Sequence, residues 1–380
     1  MKKVPFLNWI LILWTVVLCT AVAHTLTNST KVISPHYETM KQASLLAQDA
    51  MEAVKAKKAE LGLLADASTD KLQTGMIGER YTSITTTMGI LEAKRTTTNP
   101  NWAAVMVGMF ARAGLKAGDD VGMVFSGSFP AMNLCAMAAA QAYGLNVCIM
   151  ASVGASSYGA NQPQFTFFDM AEYLYEQKVL TVRIGYLSFG GSGDVGEEFT
   201  QTDRREIYTR ILGSGIPFVN ENNFEKNIKT RVEHFQQDVP NMKFLLNVGG
   251  SLVGLGSGSA AVLGTGYIEP KHYLSGSAPS LPDAQKEGMG LLEYYYRQGI
   301  PTASILNIKG LALDYGIPYD PDETPEIGKG NAYFTVSYSL TIPAIAIAGT
   351  LAILIFLLVY TKKYDTYGEK YERNYILCRR

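Results

Sequence analysis

Three stretches rich in glycine and hydroxyl side chains follow apolar segments, and they carry the residues best placed for ligand chemistry. They are Ser126-Gly127-Ser128, Gly190-Gly191-Ser192-Gly193-Asp194 and Gly249-Gly250-Ser251. Each stretch lies where a buried strand is followed by a helical pattern, so each predicts a turn at the carboxyl end of a strand. Helix N-termini at such turns offer backbone N–H groups to carboxylates and phosphates. We therefore predict that the three turns together bind an anionic ligand.

The first turn has two further interpretations. Ser128 is placed to cap the helix predicted to begin at Pro130, because a serine oxygen accepts bonds from the free amides of a helix. Ser126 or Ser128 is otherwise a nucleophile, since a strand, a serine and a helix in succession resemble the nucleophile turn of hydrolases. That pattern requires Gly-x-Ser-x-Gly, whereas Phe129 follows Ser128 here. Binding, capping and hydrolysis all remain open.

The residue types for a catalytic triad are present, but their spacing does not indicate one. Asp194 or Asp283 supplies an acid, and His234 or His272 supplies a base. The four histidines are scattered and no metal-binding spacing occurs, so no metal and no cofactor is predicted. No dinucleotide fingerprint follows the first predicted strand, and the chain lacks a Gly-x-x-x-x-Gly-Lys-Ser/Thr phosphate loop, which argues against nucleotide-dependent chemistry.

Two pairs of basic residues lie near these turns. Lys94 and Arg95 precede the first strand of the predicted sheet, and Arg204 and Arg205 follow the second turn. Positive charge beside the turns favours an acidic ligand, and we include Arg204 and Arg205 in the predicted binding site. The competing interpretation of all four residues is a solvated surface.

The composition indicates a membrane protein. Only 18% of the 380 residues are charged, compared with about 25% in soluble domains. Two uncharged segments account for the difference, 5–23 and 340–360. The second segment, as a helix, spans about 31 Å, which matches the hydrocarbon core of a bilayer. A formal net charge of −1 gives no support for a nucleic-acid partner.

Charge asymmetry predicts the orientation in a cytoplasmic membrane. The tail 361–380 contains six lysine or arginine residues, whereas four acidic residues precede the span within 320–326. Cytoplasmic flanks are enriched in lysine and arginine, so 1–4 and 361–380 are predicted inside and the main domain outside. The first segment is interpreted as an uncleaved anchor because of its length. A signal peptide cleaved after Ala21-Val22-Ala23 is the alternative.

Alternating patterns between the two apolar segments predict an α/β fold. Residues 24–100 are predicted as a juxtamembrane helix, over 35–62, followed by a strand and loop region. Residues 101–338 alternate helices with continuous apolar strands, which favours a mostly parallel sheet flanked by helices. The predicted strands are 121–125, 146–151, 180–187, 217–220, 243–248 and 304–308, and the predicted helices are 102–113, 130–143, 167–177, 203–212, 224–237 and 282–297. The glycine-rich stretch 247–266 is either a loop that covers a ligand or a region of close backbone packing.

The predicted outer domain contains only two cysteines, Cys135 and Cys148. One falls in a predicted helix and the other in the strand after it, both in apolar surroundings. Buried free thiols are therefore favoured over a disulfide.

Two terminal membrane segments, a single α/β domain and three motifs together resemble one bacterial family. The motifs are GLKAGDDVGMVFSGSFPAMN, NVGGSLVGLG and IKGLALDYGIP. On these, the chain resembles the poly-gamma-glutamate system proteins. The resemblance implies an accessory membrane protein of poly-γ-glutamate synthesis or export, working beside the membrane subunits of the synthase. It supplies no catalytic residues.

The sequence and the resemblance therefore indicate two alternative functions. The first is a subunit for capsule or released polymer that binds poly-γ-glutamate outside the membrane, which suits anion-binding turns because each unit of the polymer carries a carboxylate. The second is an exported serine hydrolase that trims or releases the polymer through Ser126 or Ser128.

Overall fold

The computed structural model describes residues 5–256, 264–270 and 288–377. The chain forms two compact units. One contains both ends of the chain, up to Ile33 and from Phe334 onward, and the other contains everything from Ser34 to Tyr333. Residues 34–100 therefore belong to the same unit as the sheet.

The unit of the chain ends consists of two long helices and a two-stranded sheet. Helix α1 (Pro5–Thr27) leads to strand β1 (Thr30–Ile33), which pairs antiparallel with β8 (Phe334–Ser337), and β8 leads to helix α12 (Thr341–Leu377). Both helices contain a stretch long and apolar enough to cross a membrane, judged by length and composition.

The two terminal helices contact each other through Trp14. The indole Nε1 donates a hydrogen bond to Thr350 Oγ1 at 3.1 Å. A Cβ placed on Gly349 would lie 2.4 Å from the Trp14 ring, so glycine provides the space in which the indole packs. The two helices therefore pack as a pair within this unit.

The larger unit contains a six-stranded sheet with the strand order β4-β3-β2-β5-β7-β6. The strands are β2 (Asp120–Ser126), β3 (Asn146–Ser152), β4 (Tyr186–Ser188), β5 (Phe244–Val248), β6 (Gly266–Ile268) and β7 (Thr302–Ile305). All neighbouring pairs are parallel except β6 with β7, which is antiparallel. The predicted α/β class with a mostly parallel sheet is confirmed.

Helices cover both faces of this sheet because its strands are apolar on both sides. Along β2, the side chains of Met123 and Phe125 belong to one core cluster and Val124 belongs to another. The larger cluster includes residues of α2 (Tyr37–Glu60), α4 (Trp102–Arg112), α5 (Pro130–Tyr143), α6 (Phe167–Glu176), α7 (Gln201–Ser214) and α11 (Ile308–Tyr315). The smaller one includes residues of α8 (Phe224–Asp238), α9 (Leu252–Leu255) and α10 (Leu291–Arg297).

The chain reverses its direction of travel across the sheet between β2 and β5. From β2 the chain proceeds outward to β3 and β4, and it then returns to β5 on the other side of β2. Such a reversal leaves a crevice at the carboxyl ends of the strands, where ligands bind in open α/β sheets. The fold therefore points to this edge as the place to look for a site.

Several predicted elements differ from the structure at their ends. Only the last part of the predicted strand 180–187 pairs in the sheet, as β4, and 217–220 makes a single bridge through Phe218. The predicted strand 304–308 ends at Ile305, because Asn307 begins a helix by accepting a bond from the Gly310 amide at 3.1 Å. The predictions for 121–125, 146–151 and 243–248 are confirmed.

The region 69–100 was predicted as strand and loop, which is wrong in part because it contains helix α3 (Leu91–Thr97). Helix α10 begins at Leu291, later than the predicted start at 282, and 282–287 lie outside the described residues. Within the glycine-rich stretch, the described residues form the short helix α9 and strand β6, and 257–263 lie outside the description.

Cys135 and Cys148 are buried free thiols, as predicted. Cys135 lies in α5 within the larger core cluster, and Cys148 lies in β3 within the smaller one. The two sulfurs therefore belong to cores on opposite faces of the sheet.

Candidate functional site

A cavity of about 640 Å³ opens at the carboxyl edge of the parallel strands. The turns after β2, β3, β4, β5 and β7 all contribute to its wall, together with the loop and helix around α3. A volume of this size suits a ligand of small-molecule dimensions. The cavity lies at the reversal between β2 and β5, so fold and cavity indicate the same place.

Of the thirteen residues in the three turns and the pair Arg204 and Arg205, seven line this cavity and six do not. The lining residues are Ser126, Ser128, Gly191, Ser192, Gly193, Gly250 and Ser251. The others lie outside the lining: Gly127, Gly190, Asp194, Gly249, Arg204 and Arg205. The three turns do meet at one edge of the sheet, as parallel strands require. Their role in binding stays a prediction.

Ser126 and Gly249 fit against each other where β2 and β5 end. Gly249 has a φ of +92°, and a Cβ at this position would lie 2.1 Å from Ser126 Oγ. Only glycine adopts this backbone conformation easily and leaves room for the hydroxyl. The Ser126 hydroxyl is buried and has no hydrogen-bond partner among the described residues. The Ser126 hydroxyl is therefore a polar group at the cavity wall that makes no hydrogen bond to the described residues.

Ser128 does not cap helix α5. The N-cap is Phe129, which makes no side-chain cap bond, and Ser128 Oγ accepts a bond from the Ser156 amide at 3.0 Å. Ser251, in contrast, is a cap, since its Oγ accepts a bond from the Gly254 amide at 3.2 Å. The capping interpretation of Ser128 is therefore wrong, and the cap at Ser251 was not predicted.

Asp194 is occupied by a buried ion pair. Its Oδ2 lies 2.6 Å from Arg231 Nη2 and also accepts a bond from Asn227 Nδ2, and its Oδ1 accepts a bond from Ser188 Oγ. Both charged side chains are at most 2% exposed. The predicted ligand role of Asp194 is replaced by a structural one, because the ion pair anchors this turn to helix α8.

At the second turn, the Glu198 carboxylate occupies the position that was predicted for an anionic ligand. The carboxylate accepts bonds from the Ser192 amide at 2.9 Å and from the Ser192 hydroxyl at 2.6 Å, and Glu198 itself lines the cavity. The Ser192 amide, which was predicted to be available to a ligand carboxylate, thus donates to a side chain of the same protein. This turn therefore contributes negative charge to the cavity.

The remaining predicted charges lie away from the cavity. The Arg204 guanidinium lies over the Phe189 ring at 4.9 Å, and Arg205 is exposed. His234 stacks on Tyr186 with a centroid distance of 4.1 Å, and burial lowers the pKa of its imidazole. His272 and Asp283 lie outside the described residues. Among the described candidates, no triad forms around Ser126 or Ser128.

Lys94 is the basic side chain among the described residues that line this cavity. The residue is 2% exposed and lines the cavity. Its Nζ donates hydrogen bonds to the Ser128 carbonyl oxygen and, at 2.7 Å, to Ser156 Oγ, and it lies 4.1 Å from the centre of the Phe129 ring. The interpretation of Lys94 as a solvated surface residue is therefore wrong.

The amine of Lys94 has only neutral hydrogen-bond partners. Burial lowers its pKa to about 7, and no carboxylate of the described residues forms an ion pair with it. A protonated amine has three N–H donors, so one remains for a ligand. Unpaired buried ammonium groups are costly, and an anion in the cavity would relieve this cost.

Arg95, the neighbour of Lys94, has a structural role. Its guanidinium donates to the carbonyl oxygens of Thr69 and Ser68, and it lies 3.7 Å from Asp320. Lys94 and Arg95 thus differ in function although they are adjacent, because helix α3 directs only one of them to the cavity.

Ser156 was not singled out from the sequence. It lies in the loop after β3, is 7% exposed, and lines the cavity beside Lys94. The register of the sheet aligns Ser126, Ser152 and Ser188 across β2, β3 and β4, which places a row of hydroxyls at this edge. The signal in the sequence was a serine-rich run that begins with Ser152 at the end of β3 and continues to Ser156 and Ser157.

Comparison of the chain with models of protein families, with curated proteins and with solved structures finds no match in any of the three. The class of protein therefore rests on the fold and the site. The chain is an α/β protein with a mostly parallel sheet, a cavity at the carboxyl edge, and two apolar helices near its ends.

Proposed function

We propose that this protein binds an anionic polymer in the cavity, through Lys94 and the surrounding hydroxyls. The observation that carries the proposal is the buried Lys94 amine, which lines a cavity and lacks an acidic partner among the described residues. A ligand carboxylate would accept the remaining N–H of the ammonium and compensate its buried charge. Ser128 adds a donor, since its oxygen accepts from the Ser156 amide and its hydroxyl hydrogen is free to bond a ligand.

The polymer is poly-γ-glutamate in this proposal. The support is the resemblance in sequence motifs to the poly-gamma-glutamate system proteins, together with a cavity of small-molecule dimensions that is lined by Lys94 and hydroxyl groups. Each unit of the polymer offers a carboxylate for Lys94 and an amide for the serines and for Glu198. The partners would be the polymer and the membrane subunits of its synthase, and the role would be accessory to capsule formation or release.

The same proposal places the sheet unit outside a bacterial cytoplasmic membrane. Two helices of sufficient length and apolarity support anchoring, and the basic residues of 361–380 support a cytoplasmic C-terminus.

Calorimetry on the full-length protein in detergent tests the proposal. Oligo-γ-glutamate should bind at pH 6, an uncharged oligomer of the same length should not bind, and Lys94→Met should abolish binding. Because Lys94 is buried and salt screens buried charges weakly, the affinity should persist at physiological ionic strength. Lys226→Met, which removes an exposed lysine on helix α8, is the matched control. Absence of binding to the folded wild-type protein at low salt would refute the proposal.

The second candidate is an exported serine hydrolase that trims or releases the polymer through Ser126 or Ser128. The observation in its favour is that both serines line the cavity. Neither Oγ contacts a histidine or lysine nitrogen in the described part of the chain. Labelling with a serine-reactive phosphonate, compared between wild type, Ser126→Ala and Ser128→Ala, tests this candidate.

A further inference from the structure

A hydroxyl and an amine meet inside the cavity in a way that the binding function does not require. Ser156 Oγ lies 2.7 Å from Lys94 Nζ, within the range for proton transfer between a nucleophile and its base. Both residues line the cavity, so an acyl group bound there has access to the pair.

From this geometry we propose that Ser156 is the nucleophile and Lys94 the general base of an acyl-transfer site that hydrolyses amide bonds of the bound chain. The inference rests on the proposed binding function for the identity of its substrate. It assigns the nucleophile to Ser156 rather than to Ser126 or Ser128.

The surroundings fix both groups in place. The Ser156 amide donates to Ser128 Oγ at 3.0 Å, and the Ser156 carbonyl oxygen accepts from the Gly159 amide at 2.9 Å. Lys94 is held by the Ser128 carbonyl oxygen and the Phe129 ring. A nucleophile and a base that are already oriented lose little entropy in reaching the transition state.

The protonation state of Lys94 suits a base. Burial lowers the pKa of its amine to about 7, so a substantial neutral fraction exists near neutral pH, whereas an ordinary lysine is almost fully protonated. Lys94 and Glu198 are the titratable residues in the described lining of the cavity. The other charged or titratable groups around α3 are Glu92, Arg95, Lys309, Tyr319 and Asp320. The pKa of Lys94 is lowered by its burial.

The reaction balances with water as the only co-reactant. Ser156 Oγ gives its proton to neutral Lys94 Nζ and bonds to the amide carbon, and the carbonyl electrons move to oxygen. When the tetrahedral species collapses, the C–N bond breaks and the Lys94 ammonium gives its proton to the leaving nitrogen. Water then attacks the acyl-serine and passes a proton to Lys94, the C–Oγ bond breaks, and Ser156 regains its proton from Lys94. The products are a carboxylic acid and an amine.

Ser128 is placed to assist this reaction. Its backbone oxygen holds Lys94 and its hydroxyl oxygen holds the Ser156 amide. Neither contact uses the hydrogen of the Ser128 hydroxyl. This hydrogen is therefore available to bond the developing oxyanion, and hydrogen-bond donors in this position stabilise the transition state.

Labelling of the full-length protein in detergent with a fluorophosphonate tests the inference. Mass spectrometry of the labelled wild-type protein should locate the adduct on Ser156, and this measurement needs no variant to fold. The labelling rate should rise about tenfold from pH 6 to pH 8, because the neutral fraction of an amine with a pKa near 7 rises by about that factor. Ser156→Ala should eliminate labelling, and Lys94→Met should lower its rate at pH 8 at least about a hundredfold.

The controls separate structure from chemistry. Ser68→Ala, at an exposed serine, should label at the wild-type rate. An adduct on another serine, no adduct at all, or labelling that is independent of Lys94 would overturn the inference. Binding of oligo-γ-glutamate to Ser156→Ala is measured in parallel. Binding without labelling leaves the proposed binding function standing and removes the catalytic one, whereas labelling without binding removes poly-γ-glutamate as the substrate.

Discussion

The Nζ of Lys94 lies 2.7 Å from the Oγ of Ser156, although 62 residues separate them in the chain. The contact joins helix α3 to the loop after β3 at the carboxyl edge of the sheet. In the proposed binding function a protonated Lys94 binds the anion, and in the proposed acyl transfer a neutral Lys94 accepts a proton from Ser156. One residue therefore gives the two functions opposite dependences on pH.

Anion binding should weaken as pH rises. The pKa of Lys94 is lowered to about 7, so the charged fraction falls about tenfold from pH 6 to pH 8. The dissociation constant for oligo-γ-glutamate should rise by about that factor over the same range, with proton uptake on binding at pH 8. Calorimetry in buffers of different ionisation enthalpy measures both effects.

The control for this pH dependence is His234→Gln. Burial lowers the pKa of its imidazole and it does not line the cavity, so the variant should keep the pH dependence of the wild-type protein. An unchanged dissociation constant between pH 6 and pH 8 in the wild-type protein would contradict the role given to Lys94.

The stability of the fold should increase between about pH 7 and pH 9. Burial lowers the pKa of Lys94 to about 7 and that of Lys58 to about 8, whereas both are about 10.4 in the unfolded chain. The unfolded state therefore binds more protons in this window, and the free energy of unfolding rises with pH.

Chemical denaturation at several pH values measures this slope. Lys94→Met and Lys58→Met should each flatten it, and Lys226→Met should leave it unchanged because Lys226 is exposed. A wild-type protein whose unfolding free energy is constant from pH 7 to pH 9 would show that both buried amines keep ordinary pKa values.

Asp194→Ala should destabilise the fold strongly. The substitution leaves Arg231 as an unpaired charge in a site that is 1% exposed, and breaking a buried pair in this way costs about 3–5 kcal/mol. Glu233→Gln removes one partner of an exposed pair with Lys229 and should cost less than about 1 kcal/mol. Urea unfolding compares the two variants, and equal losses would refute the anchoring role of Asp194.

Gly249→Ala should destabilise by more than Gly62→Ala. Both glycines have positive φ, but a Cβ at Gly62 would have no neighbour within 4 Å, whereas a Cβ at Gly249 would clash with Ser126 Oγ. Gly62→Ala should cost about 1–2 kcal/mol from backbone strain alone, and overpacking adds about 1–3 kcal/mol at Gly249. Combining Gly249→Ala with Ser126→Ala should recover the packing part, as thermal unfolding would show.

The first helix should be retained in the mature protein. Trp14 packs in the space left by Gly349 and bonds to Thr350, and removal of 5–23 would eliminate this contact. Intact mass spectrometry of protein purified from membranes should include residues before Ala23. Reporter fusions after Asn331 and after Arg380 should report the outside and the cytoplasm, respectively. A mature N-terminus at His24 would instead identify a signal peptide.

The sequence predicted the central strands well because each is a continuous apolar run ended by glycine and serine. It overestimated the strand at 180–187, since only its last residues find a partner beside β3. The meeting of the three turns followed from the parallel arrangement, because the carboxyl ends of parallel strands lie at the same edge.

The charges of the site were not predictable in the same way. Burial of Lys94 depends on Ser128 and Ser156, which lie far from it in the sequence. Likewise, Asp194 forms an ion pair with Arg231 on helix α8 and does not line the cavity, and no periodic pattern in the sequence reveals such a pairing. Patterns report which residues face a core, but the partner of a particular charge is determined by tertiary packing.

The two thiols on opposite faces of the sheet have a consequence for biogenesis. Cys135 and Cys148 are free and lie in separate cores, so the sheet unit completes its fold without an oxidation step. Its folding should therefore not depend on the redox potential of the compartment in which it folds. Reductants added during purification should leave its unfolding transition unchanged. A protein that matures in this way needs no thiol oxidase.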